Sequence, residues 1–252
     1  MSLNQTPRAV ATAAALMLAL MASAAPAAAQ PAAAPAAQEP VRSPAAQALH
    51  TLFAASFEDN TRRFPEWATY RGDHRFGDRL TDASPEAQAE ADQAVRHRLA
   101  EAQAIDPALL SPQDRISREL FIEAQQRQVE QAAFAGWRTM SLRALGGPHT
   151  AFADLMAVSP VSRVDLVEKT LARMAAYPRR IDQEIANLRR GLAAGWVPPR
   201  EVLQRVLAQL DGQITADVEA NPHYAPFRRL SPQIAPAERE RLQAAARDAI
   251  TR

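Results

Sequence analysis

Residues 167–199 read VEKTLARMAAYPRRIDQEIANLRRGLAAGWVPP and contain the longest helical period in the chain. Apolar side chains recur there in steps of three and four, the spacing of one face of an α-helix. Pro178 removes one backbone hydrogen bond, but the apolar period resumes in phase at Ile181, so the pattern predicts a kink and not a break. The predicted buried face consists of Val167, Leu171, Met174, Ile181, Ile185, Leu188 and Leu192.

The same stretch predicts a tight corner at its end. Gly191 and Gly195 permit the left-handed backbone of a helix cap, whereas Pro198 and Pro199 cannot continue a helix but can begin the next one. We therefore expect a long helix, a corner and a second helix that continues to Asn221.

Helix-start signals extend this prediction along the chain. Ser84-Pro85 and Ser111-Pro112 each combine an N-cap residue with proline at the first helical position, and Ser162 with Asp165 resembles a capping box. Residues 66–84 and 136–160 lack a helical period and are predicted to be connections, the second with one short helix at about 152–158. The further predicted helices span residues 44–64, 85–105, 112–135 and 236–250. The fold class is therefore all-α, an antiparallel helical array.

The N-terminus has the pattern of a secretory signal. Arg8 precedes a run of alanine and apolar residues, and small residues end at Ala29 before Gln30. Residues 1–29 are therefore predicted to be a cleaved signal peptide, with a retained membrane anchor as the alternative. Residues 30–44 are rich in alanine and proline and are expected to be a disordered tether before a helical domain over 45–252. These features predict a periplasmic or secreted protein without a stable membrane span after cleavage.

Charge and cysteine content exclude several classes of site. The chain has 29 basic and 28 acidic side chains, interspersed along the predicted helices, and no cysteine. No basic stripe is available to follow a phosphate backbone, so nucleic acid is not an expected partner. Without cysteine the chain has no disulfide, no thiolate metal site and no lipidated N-terminal cysteine.

No catalytic or metal-binding motif is present in the sequence. A helical zinc site needs two histidines on one face, usually four residues apart, and no two of the histidines are that close. There is also no HExxH, no GxSxG and no phosphate-binding glycine motif. The histidines are His50, His74, His97, His149 and His223.

Two loops contain the remaining candidate polar groups. Asp73, His74, Asp78 and Asp82 lie close together in sequence, and they either ligate a cation or cap turns made by Gly72 and Gly77. The turn interpretation is favoured because no calcium-loop spacing is present. His149, in the turn after Gly147-Pro148, either lies at the mouth of a cleft or belongs to a plain loop, and the plain loop is favoured.

Five short segments resemble, in order and spacing, the N-terminal part of a bacterial domain of unknown function, family 885. They are residues 64–72 (FPEWATYRG), 79–82 (RLTD), 171–174 (LARM), 187–191 (NLRRG) and 195–199 (GWVPP). The resemblance spans residues 49–252. It identifies Gly72, Asp82, Gly191, Gly195, Pro198 and Pro199 as structural motif residues.

That family resembles helical zinc metallopeptidases of the gluzincin type, in which HExxH and a further glutamate hold the metal. The resemblance implies a secreted zinc-dependent peptidase acting on peptides, with these residues in the C-terminal part of the family domain. That part is missing from this sequence, so we assign no catalytic or metal-binding residue and expect zinc only in the full-length protein. The chain is then a truncated, inert N-terminal portion. The alternative is a non-catalytic periplasmic helical binding or scaffold module.

Overall fold

The computed structural model describes residues 43–214 and 217–251, and these residues form an all-α protein without a strand. The predicted fold class is confirmed. The predicted signal peptide and nearly all of the predicted tether lie outside the described residues. The helices are α1 (Pro44–Arg63), α2 (Pro65–Tyr70), α3 (Pro85–Ala104), α4 (Pro112–Ala132), α5 (Pro148–Val158), α6 (Val164–Ala193), α7 (Arg200–Asp211), α8 (Ala225–Arg228) and α9 (Pro236–Thr251).

Serine N-caps begin the first, third and fourth helices. Ser43, Ser84 and Ser111 each accept a hydrogen bond from the backbone N–H three residues later, and a proline follows each of them. The serine side chain satisfies a backbone N–H that has no partner within the helix, and the proline has no backbone N–H that would need one. The predicted starts of α3 and α4 are therefore confirmed.

Four local predictions are wrong. Residues 65–70 form α2 where a loop was predicted, because Pro65 ends α1 and also opens the next helix. In the same way α5 begins at Pro148, so His149 lies in a helical turn and not in a plain loop. The predicted capping box does not form: Arg163 is the N-cap of α6, without a side-chain cap. Helix α7 ends at Asp211, before Gly212, well short of Asn221.

Helix α6 continues through Pro178, as predicted, but its buried face changes along its length. Val167 and Met174 are buried in the first half. In the second half the buried residues are Glu184, Asn187 and Gly191, whereas the predicted core residues Ile185 and Leu192 are 38% and 69% exposed. The prediction of one continuous apolar face is therefore wrong for the second half, where α6 packs its polar side against neighbouring backbone.

The main hydrophobic core lies between α5, the first half of α6, α8 and α9. Complete burial of one such side chain contributes about 1.5–3 kcal/mol to folding. A smaller core joins α1 to the connection before α4 through Ala46, Leu49 and Leu110. The main core consists of Phe152, Leu155, Met156, Val167, Met174, Tyr224, Phe227, Leu230, Ile234, Leu242 and Ala246.

Candidate functional site

A buried guanidinium holds the connection between α2 and α3 against α6. Arg173 is 1% exposed. Its Nε donates to the carbonyl of Arg79 at 2.8 Å, and its Nη2 donates to Thr69 Oγ1 at 3.0 Å and to the carbonyl of Phe76 at 3.1 Å. Burial lowers the pKa of Arg173, because desolvation penalises its charged form. Segments distant in sequence are thus fixed to one point on α6.

Three to four turns further along α6, polar side chains bind the end of the same connection. Asn187 Nδ2 donates to the carbonyl of Ala83 at 2.9 Å, and Gln183 Oε1 accepts from the N–H of Ala83 at 3.0 Å. Asp82 accepts from Gln183 Nε2 and from the N–H of Ser84, both at 2.8 Å. Hydrogen bonds from Ser84 hold the pKa of Asp82 below its usual range. This pattern explains why α6 buries polar residues here.

The other acidic residues of this loop make local ion pairs. Asp73 accepts from the backbone N–H and the guanidinium of Arg75, which lowers the pKa of Asp73 to about 2. Asp78 lies 3.8 Å from Arg79. Across residues 43–214 and 217–251, no three His, Asp or Glu side chains are placed to share a metal ion. The described residues therefore do not fit a zinc ion.

Glycines allow a left-handed backbone at two motif turns and a close approach of another segment at Gly191. Gly72 and Gly195 have φ values of +82° and +77°. At the corner after α6 the N–H of Trp196 donates to the carbonyl of Gly191 at 2.8 Å. A Cβ on Gly191 would lie 2.5 Å from Thr139 Oγ1, so only glycine fits there without a shift.

The two motif prolines border a shallow groove. Pro199 directly precedes α7, and Pro198 and Pro199 face Trp137 and Met140 across a space of about 300 Å³. Trp137 is 49% exposed. The corner thus presents apolar surface to solvent.

A larger cleft of about 560 Å³ opens between the end of α1, residues 79–83, α3, α6 and residues 137–143. We call it the α3–α6 cleft. Part of its wall is apolar, with Phe64, Leu80, Trp137 and Met140. Three of the segments resembling the family contribute to it, namely 64–72 through Phe64, 79–82, and 187–191 through Asn187. Its charged residues are six arginines and four carboxylates: Arg62, Arg63, Arg79, Arg138, Arg143, Arg180, Asp82, Glu90, Asp92 and Glu184.

Most of the cleft cations are paired. Arg138 donates to both oxygens of Asp92 at 2.8 Å, and these hydrogen bonds lower the pKa of Asp92. Arg180 lies 2.7 Å from Glu184, whose side chain is 8% exposed. Among the described residues Arg143 has no ion-pair partner. The cleft therefore combines structural ion pairs with a small excess of positive charge.

A family model described as bacterial protein of unknown function (DUF885) matches residues 65–252. The chain belongs to the DUF885 family. The match includes the α2–α3 connection, α6 and the corner described above. No curated protein matches the chain.

Two expectations about polar residues differ from what the structure of this DUF885 protein shows. His149 does not reach the α3–α6 cleft: it is 4% exposed, and its Nε2 lies 2.8 Å from Gln209 Oε1 of α7. Arg173 was not predicted as a buried anchor. Its only signal in the sequence was its place in the segment LARM, beside the predicted apolar face, and an arginine there is normally expected in solvent.

Proposed function

We propose that this chain is the N-terminal part of a secreted zinc-dependent peptidase-like protein, in which its helices form one wall of a cleft for a peptide substrate. The metallopeptidase likeness of the DUF885 family motivates the proposal. The observation that carries it is the apolar surface that the second half of α6 and helix α7 expose to solvent.

That surface consists of four large side chains on the two consecutive helices α6 and α7 and of Ile214, three residues after the end of α7. Exposed apolar side chains of this kind on amphipathic helices are typical of a surface that another element covers. The proposal assigns this role to further helices of the same domain. The exposed side chains are Ile185, Leu192, Leu207, Leu210 and Ile214, with exposures of 38%, 69%, 60%, 38% and 82%.

Zinc has no place among the described residues, so the proposal puts its ligands elsewhere in the full-length protein. When bound to such a peptidase, zinc polarises the scissile carbonyl and activates water. The residues described here would instead shape the cleft: α6, held to residues 79–83 by Arg173 and Asn187, would keep one wall rigid.

Reading the gene beyond the codon for Arg252 tests the proposal first. We expect an open frame that encodes HExxH and a downstream glutamate. The protein from that longer frame should contain about one zinc ion per chain and hydrolyse peptides, and a variant in which glutamine replaces the HExxH glutamate should not. A stop codon after Arg252, or a frame without HExxH, would contradict the peptidase assignment.

A second candidate is a non-catalytic periplasmic helical binding module. It is favoured by the α3–α6 cleft, whose walls consist wholly of described residues. Binding of a hydrophobic dye discriminates between the candidates. A part of a larger domain should bind the dye strongly in its 252-residue form and weakly in the longer form, whereas a complete module should bind it weakly.

A further inference from the structure

We propose that the α3–α6 cleft binds a peptide through a carboxylate group, with Arg180 and Ser141 as its hydrogen-bond donors. The proposal depends only on groups within the cleft. It holds whether the chain is part of a peptidase or a binding module, and it requires no metal.

The first observation concerns Arg180, on the α6 side of the cleft. One of its terminal nitrogens, Nη2, donates to Glu184 Oε1 at 2.7 Å. Its other terminal nitrogen, Nη1, is buried and has no hydrogen-bond partner among the described residues. Buried guanidinium N–H groups in folded proteins are normally paired, so Nη1 of Arg180 has donor N–H groups that a bound acceptor would satisfy.

The second observation is independent, because it comes from a different segment of the chain. Ser141 lies in the connection between α4 and α5 and lines the same cleft. Its Oγ is also buried without a partner. Both unsatisfied donors belong to residues that line one cavity, and a carboxylate has an acceptor oxygen for each of them.

The charge of the cleft favours a singly charged carboxylate over a phosphate. The guanidinium of Arg138 is already paired with Asp92, and that of Arg180 with Glu184. A ligand with two negative charges would be repelled by these two carboxylates, because the arginines beside them are already paired. One negative charge, by contrast, matches the small positive excess to which the exposed Arg143 contributes.

Volume and wall chemistry indicate the rest of the ligand. A cleft of about 560 Å³ is in the size range of small-ligand sites, roughly 300–1,000 Å³. Phe64, Leu80, Trp137 and Met140 form an apolar part of its wall. A short peptide segment with an apolar side chain beside its carboxylate would satisfy both parts of the cleft.

Calorimetric titration of the full chain tests the proposal with four probes. These are acetyl-Ala-Ala-Phe with a free C-terminal carboxylate, the same peptide as its C-terminal amide, acetyl-Ala-Glu-Phe-amide, and inorganic phosphate. Losing a hydrogen-bonded charge weakens binding by about tenfold or more. We therefore expect the free acid to bind at least about tenfold more tightly than its amide, and phosphate to bind more weakly than the acid.

The glutamate-containing amide distinguishes the two sources of a carboxylate. If it binds as tightly as the free acid, the site accepts an acidic side chain. If it binds as weakly as the plain amide, the site recognises a chain terminus. Either result agrees with carboxylate binding, provided that the free acid or the glutamate peptide binds more tightly than the plain amide.

Variants then assign the effect to the two donors. The double variant R180Q/E184Q removes both members of the ion pair, so no buried charge is left alone, and it should abolish the preference for the carboxylate. S141A should reduce this preference and serves as the second test if the double variant does not fold. The matched control is R189Q, an exposed arginine of the same helix outside the cleft, which should bind like the parent.

Four results would overturn the proposal. They are equal affinity for all three peptides, no binding of any peptide, tighter binding of phosphate than of the peptides, and an unchanged preference in both S141A and folded R180Q/E184Q.

Discussion

Replacing Arg173 by methionine tests the idea that one guanidinium fixes the α2–α3 connection to α6. Methionine keeps an unbranched side chain of similar reach and preserves helix propensity, but it cannot donate a hydrogen bond. The carbonyl of Arg79 would lose its donor at 2.8 Å, whereas the carbonyl of Phe76 would lose the bond at 3.1 Å but keep the one from the backbone N–H of Arg79. Thr69 Oγ1 would lose one bond but keep its own bond to the carbonyl of Pro65.

The expected loss of stability follows from these contacts. An acceptor left without a partner costs about 1–3 kcal/mol, which applies to the Arg79 carbonyl, and the loss of one of the two bonds to the Phe76 carbonyl adds about 0.5–1.5 kcal/mol. Relief of the desolvation that lowers the pKa of Arg173 offsets part of this cost. We expect R173M to lower the free energy of unfolding by about 2 kcal/mol.

Urea unfolding at pH 7, followed by circular dichroism, measures this change, with R189M on the same helix as the exposed control. Amide hydrogen exchange should also accelerate across residues 76–84 in R173M and not in R189M, because that connection loses its anchor. If R173M unfolds within about 0.5 kcal/mol of R189M, a difference usual for surface substitutions, the anchoring argument is wrong.

Three further predictions concern single sites. G191A should destabilise the corner by about 1–3 kcal/mol in thermal unfolding, since its Cβ would lie 2.5 Å from Thr139 Oγ1; an unchanged melting temperature would contradict this. Burial lowers the pKa of His223 from 6.5, so the folded protein resists protonation of this imidazole and its stability falls as the pH drops below 6.5. In H223F the free energy of unfolding should therefore change less between pH 7 and pH 5 than in the parent. An equal slope in both proteins would refute this. Hydrogen bonds from Arg138 lower the pKa of Asp92 below 3.8, so D92N should be less stable than the parent in urea at pH 7, and the difference should shrink as the pH falls through the folded pKa. Equal stability of D92N and the parent at pH 7 would count against the pair.

The helix starts could be predicted because their causes are local. The Ser-Pro pairs at Ser84 and Ser111 contain in a few consecutive residues both the side-chain cap and the proline that fits the first helical position. The same principle applied to Pro65 and Pro148 would have found α2 and the first turn of α5. Those starts were missed because the neighbouring residues show no helical period.

The candidate cleft could not be predicted in this way. Its walls join residues far apart in sequence, such as Ser141 and Arg180, and neither residue stands in a recognisable motif. Three of the segments with family likeness do reach the cleft. However, their clearest structural role is to attach residues 79–83 to α6, as the bond between Asn187 and Ala83 shows.

By itself the sequence determined that this protein is all-α, with a long helix running through Pro178 to a glycine-proline corner, because propensity, capping and period act within a few residues. Tertiary structure decided which side of that helix is buried. Arg173 lies 94 residues from its acceptor Arg79 and Asn187 lies 104 residues from its acceptor Ala83, and these polar contacts turn Arg173 and Asn187 inward. Ile185 and Leu192 consequently face solvent. A helical period identifies the apolar face of a helix, but it does not identify which other element, if any, packs against that face.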